Sequence, residues 1–145
     1  MLISFFKKII AVTFLLLSLT TFGTKVYADN SGGIELNNKA YRLIGNDNII
    51  LAFVDNYAYC AVRENVSVSK FNIQGNKINF TPMYQAPLSN DAKYRGAEMV
   101  CQKILGIVFE KDPKQISIDK DILVIKANPN YTWDWQFRPI MTNVK

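Results

Sequence analysis

The stretch from Ser69 to Thr81 constrains the fold of this chain more tightly than any other. Ser69-Lys70-Phe71-Asn72-Ile73-Gln74 alternates polar and apolar residues, Gly75-Asn76 follows, and Lys77-Ile78-Asn79-Phe80-Thr81 resumes the alternation. Side chains alternate between the two faces of a strand, so Phe71, Ile73, Ile78 and Phe80 share one face. Asn72, Gln74, Lys77 and Asn79 meet water. A Gly-Asn pair between two such runs predicts a hairpin closed by a tight primed turn.

Period two recurs along the chain. Ala40–Ile44, Ile49–Val54 and Tyr57–Val62 read as strands, separated by Gly45-Asn46-Asp47-Asn48 and Asp55-Asn56. Gln115–Asp119 and Ile122–Lys126, split by Lys120-Asp121, form a second hairpin. Asn128-Pro129-Asn130 turns the chain into a last strand, Thr132–Arg138. Pro82 to Asn90 reads as irregular, because Pro82 and Pro87 oppose regular structure. From Asp91 the period changes: Tyr94, Ala97, Cys101, Ile104, Leu105 and Val108 recur every three or four residues, the stripe of one helix. Ser89 or Asn90 can cap it, and Asp91 and Lys111 suit its dipole. Gly96 and Gly106 weaken it, permitting close packing or an early end. No strand–helix–strand repeat appears. The prediction is therefore a mainly β (α+β) domain: an antiparallel curved sheet or small barrel of about eight strands with one covering helix.

The first 28 residues stand apart. Lys7 and Lys8 precede the apolar run Ile9–Leu19, a polar stretch follows, and Val26-Tyr27-Ala28 offers small residues around a larger one. This is the order of a cleavable secretion signal. The alternative, a membrane anchor, needs about 20 apolar residues. The signal contains no cysteine and so no lipobox. Cleavage after Ala28 leaves residues 29–145 as a single domain, periplasmic or secreted. Asp29 to Leu36, with Ser31-Gly32-Gly33, reads as a flexible entry segment. Of 17 basic and 12 acidic residues, the signal takes Lys7, Lys8 and Lys25 and no acid. The remainder has only a slight positive excess, which argues against nucleic acid as a partner.

Cys60 and Cys101 are the only cysteines. An even count in an oxidising compartment favours a disulfide, here from a strand to a helix. Two buried free thiols are the alternative.

Several matching runs carry a family resemblance. They are Tyr41-Arg42-Leu43, Ile50-Leu51-Ala52-Phe53, Cys60, Phe71 through Phe80, the Ala97–Leu105 helix and Asp121-Ile122-Leu123-Val124-Ile125. In this order, over nearly all of residues 29–145, the chain resembles the META/HslJ-like domain of bacterial envelope proteins. The resemblance implies a β-rich fold and an envelope location. It also implies the settings linked to that family: heat-shock response, antibiotic tolerance and virulence-related secretion.

Chemistry is sparse. The chain has no histidine, which removes Ser-His-Asp and Cys-His machineries and the commonest metal ligand. No phosphate-binding Gly-rich loop or G-x-S-x-G is present. We therefore expect no catalytic residues, no metal site and no cofactor. Ser67, Ser69 and Lys70 formally allow a Ser-Lys dyad, but read as the exposed face of a hairpin. Asp119 and Asp121 flank a turn, and Glu98 and Glu110 read as the outer helix face. Asn65-Val66-Ser67 and Asn130-Tyr131-Thr132 match glycosylation sequons by chance. Tyr57, Tyr59, Trp133 and Trp135, with Arg63 and Arg138 nearby in sequence, are candidates for a binding surface. Trp133, Trp135 and Phe137 equally suit the core side of the last strand. The Pro82–Asn90 loop, with Met83 and Tyr84, is a second candidate surface. The expectation is a monomeric, exported, non-catalytic protein that binds an envelope protein or a cell-wall ligand. The alternative is a small hydrolase, or an inhibitor of one, acting at the envelope.

Overall fold

The protein is described from a computed structural model covering residues 33–108, 113–126 and 134–140. The expected secretion signal, the entry segment before Gly33, Glu110, Lys111, the turn expected at 128–130 and Trp133 lie outside the described residues.

Eight strands form a closed antiparallel barrel in which sequence neighbours pair around the ring and β8 returns to β1. The strands are β1 (Lys39–Leu43), β2 (Ile49–Val54), β3 (Tyr57–Val62), β4 (Asn65–Gln74), β5 (Lys77–Tyr84), β6 (Lys114–Asp119), β7 (Ile122–Lys126) and β8 (Asp134–Pro139). One helix, α1 (Ala92–Ile104), lies between β5 and β6. It packs chiefly on β3, flanked by β2 and β4.

Local chemistry explains the joints. Asp55-Asn56 and Lys120-Asp121 both take positive φ at two successive residues, the signature of a type I′ turn that matches strand twist. Gly75 takes φ +62 and Asn76 does not, as a type II′ turn requires. Helix α1 is capped by Asp91, whose carboxylate accepts from the Lys93 amide, rather than by Ser89 or Asn90. The helix stops at Ile104, short of Val108. Gly106 takes φ +66, its amide donates to Lys103 and the Ile107 amide donates to Gln102, which is a Schellman end. Gly106→Ala should therefore lower stability by about 1 kcal/mol, read as a reduced urea midpoint with unchanged slope. Gly96 serves no close approach: a Cβ there meets nothing within 4 Å.

Two strands run further than their patterns suggested. β4 begins at Asn65, and β5 continues through Pro82 to Tyr84. Among the described residues β5 pairs with β6 only at Lys77 and Ile78, so Pro82 sits on a locally one-sided strand, where a missing N–H is tolerated. A bulge between Val68 and Ser69 absorbs the irregularity.

The interior is apolar and aromatic. Leu51, Phe53, Ile78, Leu123, Ile125 and Phe137 are fully buried. Phe53 meets Phe71 edge-on, with centroids 5.0 Å apart, and Tyr41 at 6.2 Å. An eight-stranded barrel is just wide enough for side chains to fill, and these buried side chains belong to one core cluster. Among the described residues, no helix is long and apolar enough to cross a membrane.

Candidate functional site

Polar residues line the seam between β4 and α1. Asn65, Ser67 and Ser69 face the same side as Cys60 and Phe71. Two residues of strand rise about 6.7 Å and four residues of helix about 6 Å. The strand row 65-67-69 therefore keeps pace with helix residues Glu98 and Gln102. Each strand residue finds a partner. Asn65 Nδ2 donates to Glu98 Oε2 and, at 2.7 Å, to the Pro87 carbonyl. Ser67 Oγ accepts from the Ala86 amide, and the Ala86 carbonyl accepts from Gln102 Nε2. Ser69 Oγ donates to the Leu105 carbonyl at 3.0 Å.

This corrects two expectations. Ser67 and Ser69 are buried, not exposed, and Glu98 turns into the seam rather than outward, with 4% of its surface accessible. Hydropathy places such residues at the surface; only the fit of strand to helix supplies their partners. Lys70, in contrast, is exposed.

Glu98 is the hub. Its Oε1 accepts from the Ser89 amide at 2.7 Å, and its Oε2 accepts from Ser89 Oγ and Asn65 Nδ2. Burial alone would raise its pKa, but the bonds from Ser89 and Asn65, with the nearby Arg95 charge, hold the carboxyl below its ordinary value. Arg95 also donates to the carbonyls of Ser89 and Asn90. The 85–91 segment is thus stitched to the barrel and the helix.

Beside this hub opens a cleft of about 300 Å³, lined by Val62, Arg63, Glu64, Asn65, Ser89, Tyr94 and Glu98. Arg63 closes the β3–β4 turn with φ +57, a conformation that costs a side-chain-bearing residue about 1 kcal/mol. Its guanidinium lies 4.6 Å from the Tyr94 ring centre, and Lys93 Nζ lies 5.4 Å from the same ring. Strain of this kind concentrates where a side chain must be aimed.

The five described residues among the six singled out from sequence are not gathered in one place. Arg63 lines the cleft. Tyr57 and Tyr59 are half-buried on β3, ring centres 6.5 Å apart, with Lys70 Nζ 5.9 Å from Tyr57. Burial, then the Tyr57 and Asp55 neighbours, pushes the Tyr59 phenol upward. Trp135 is buried in the barrel with Phe137. Arg138 is exposed on β8, directly opposite Arg42 of β1. Trp133 lies outside the described residues. Tyr94, Ser89 and Asn65 were missed as site residues. Tyr94 read as part of an apolar helix stripe, and nothing local brings it to Arg63.

Cys60 and Cys101 meet between β3 and α1 as free, buried thiols. Burial, then the hydrogen bond and charge of Cys60 and the charge of Glu98, pushes the Cys101 thiol well above its ordinary value. Among the described residues no three His, Cys, Asp or Glu side chains converge as a metal-ligand set.

No family model, curated protein or solved structure matches this chain. Function must be argued from the site itself.

Proposed function

We propose that this protein is an exported envelope or secreted binding protein, META/HslJ-like in build, that takes a protein or cell-wall partner at the cleft between the β3–β4 turn and helix α1. The state of Glu98 carries this reading. A general acid needs a raised pKa, and an effective base needs free lone pairs near neutrality. Of the two carboxylates that line the cleft, Glu64 is exposed, and Glu98, the buried one, has a lowered pKa and three donors already on it. Its work is to hold the cleft in shape. What the cleft presents outward is Arg63 stacked on Tyr94, an Arg–aromatic pair of the type that dominates binding hot spots.

Export rests on the order of the first 28 residues, and a Cys60–Cys101 bridge rests on the facing thiols in an oxidising space. Mass spectrometry of natively purified protein should find an N-terminus at Asp29.

The binding reading is tested by capture from envelope extract with wild-type protein and Arg63→Ala. A reproducible partner should be retained at least about tenfold more weakly by the variant. Equal capture by both, or turnover of polysaccharide or peptide substrates that Glu98→Gln abolishes, would replace this reading with another.

A further inference from the structure

The seam that closes the barrel sets two arginines side by side. Arg42 of β1 pairs in register with Arg138 of β8. The flanking ladder bonds, Ile44 amide to Gln136 carbonyl at 2.8 Å and Ile140 amide to Ala40 carbonyl at 2.9 Å, fall on alternate residue pairs. Arg42 and Arg138 therefore occupy a hydrogen-bonded pair, whose Cα atoms stand about 5.5 Å apart and whose side chains leave the same face. Both are exposed. Among the described residues neither guanidinium has a carboxylate within ion-pair distance. On its other side Arg42 pairs with Ile50, half-buried, which offers no compensating charge.

Like charges directly opposite each other destabilise a sheet. This cost sits on two rigid strands at the ring's closing seam, not on a mobile loop. The geometry points to an anion site: Arg42 and Arg138 together bind a phosphomonoester-type dianion on the outer face of the β1–β8 seam. The charge count selects the class. One guanidinium saturates a carboxylate through two parallel bonds. Two guanidinium groups leaving one face call for an anion with more than two oxygens and close to two negative charges, and a phosphate monoester carries about −1.5 to −2 near neutrality. Exposed Gln136, on the same face of β8 two residues before Arg138, adds an amide donor at the rim. The source of the phosphate is either a small soluble molecule or a lipid headgroup.

The test uses purified protein with isotope-labelled arginine side chains. Inorganic phosphate should shift the Nε signals of Arg42 and Arg138 together and saturably, and should raise the melting temperature by linkage. Arg42→Gln and Arg138→Gln should each weaken binding about tenfold and abolish the phosphate-dependent rise in melting temperature. Each should leave the phosphate-free protein as stable or more stable, because the repulsion is relieved; a merely structural arginine would give the opposite sign. Flotation with phosphatidylcholine vesicles, plain or containing phosphatidic acid, separates the sources. Binding to the phosphatidic acid vesicles that both variants lose assigns the headgroup, and binding to free phosphate alone assigns a soluble ligand. No saturable shift at either arginine together with no vesicle binding, or shifts confined to Arg63, would overturn the site.

Discussion

Oxidation of Cys60 and Cys101 to a disulfide should raise the unfolding free energy by about 4 kcal/mol, the chain-entropy value for a closed loop of about 40 residues. The staple would tie α1 to β3 across the segment that contains β4, β5 and the whole 85–91 connection. Both thiols are buried, and the Cys101 thiol is pushed well above its ordinary range, by burial first and by Cys60 second. The thiolate is the species that attacks, so the folded, reduced protein should resist both alkylation and oxidation, and the bond should form during folding or on local opening. Urea unfolding of oxidised protein, against the same sample treated with dithiothreitol, measures the difference. A midpoint that stays put although mass spectrometry shows the bond formed would mean that native strain cancels the entropic gain.

The second large effect concerns Glu98. Glu98→Ala should cost roughly 3 kcal/mol, because the Asn65 and Ser89 donors lose a charged acceptor within a buried seam. Glu98→Gln should also destabilise, since its amide nitrogen must face one of those donors. The pH dependence has a definite sign. The folded-state pKa of Glu98 is lowered from 4.5, so its contribution is fully present above that value. It fades as pH falls through the lower, folded-state pKa. The stability gap between wild type and Glu98→Gln should therefore be widest at neutral pH and shrink in acid, as wild type takes up the proton. Urea titrations of both proteins at pH 7 and near pH 3 check this. A gap that is constant with pH would mean that the carboxylate charge contributes nothing to the seam. Because Glu98 also shapes the cleft, Glu98→Ala should loosen the 85–91 segment, visible as faster amide exchange at Ser89.

The two effects are coupled in space. Cys101 lies one turn of helix below Ala97 and three residues from Glu98, and the Glu98 charge contributes to the raised Cys101 pKa. A double variant lacking both the thiol pair and the carboxylate should therefore deviate from additivity.

Most elements of this protein were legible in its sequence, because strands and turns report local energetics. Alternation at Phe71–Phe80 and Ile116–Ile125, the Gly75-Asn76, Asp55-Asn56 and Lys120-Asp121 turns, and the helix stripe through Ala97 and Cys101 each follow from neighbours a few residues apart. Together they sufficed for an antiparallel curved sheet or small barrel with one covering helix, and the β1–β8 pairing closes it into the barrel. What tertiary structure alone decided is pairing at long range. The register that sets Arg42 beside Arg138 joins residues from opposite ends of the domain. The burial of Glu98, Ser67 and Ser69 depends on strand and helix rising in step, so that every polar atom meets a partner. Arg63 reaches Tyr94 only once the β3–β4 turn and α1 are docked. Hydrophobic patterning records which side chains avoid water, but it holds no term for a polar group whose hydrogen bonds are completed by a distant segment. The candidate sites were therefore the part of this protein its sequence left open.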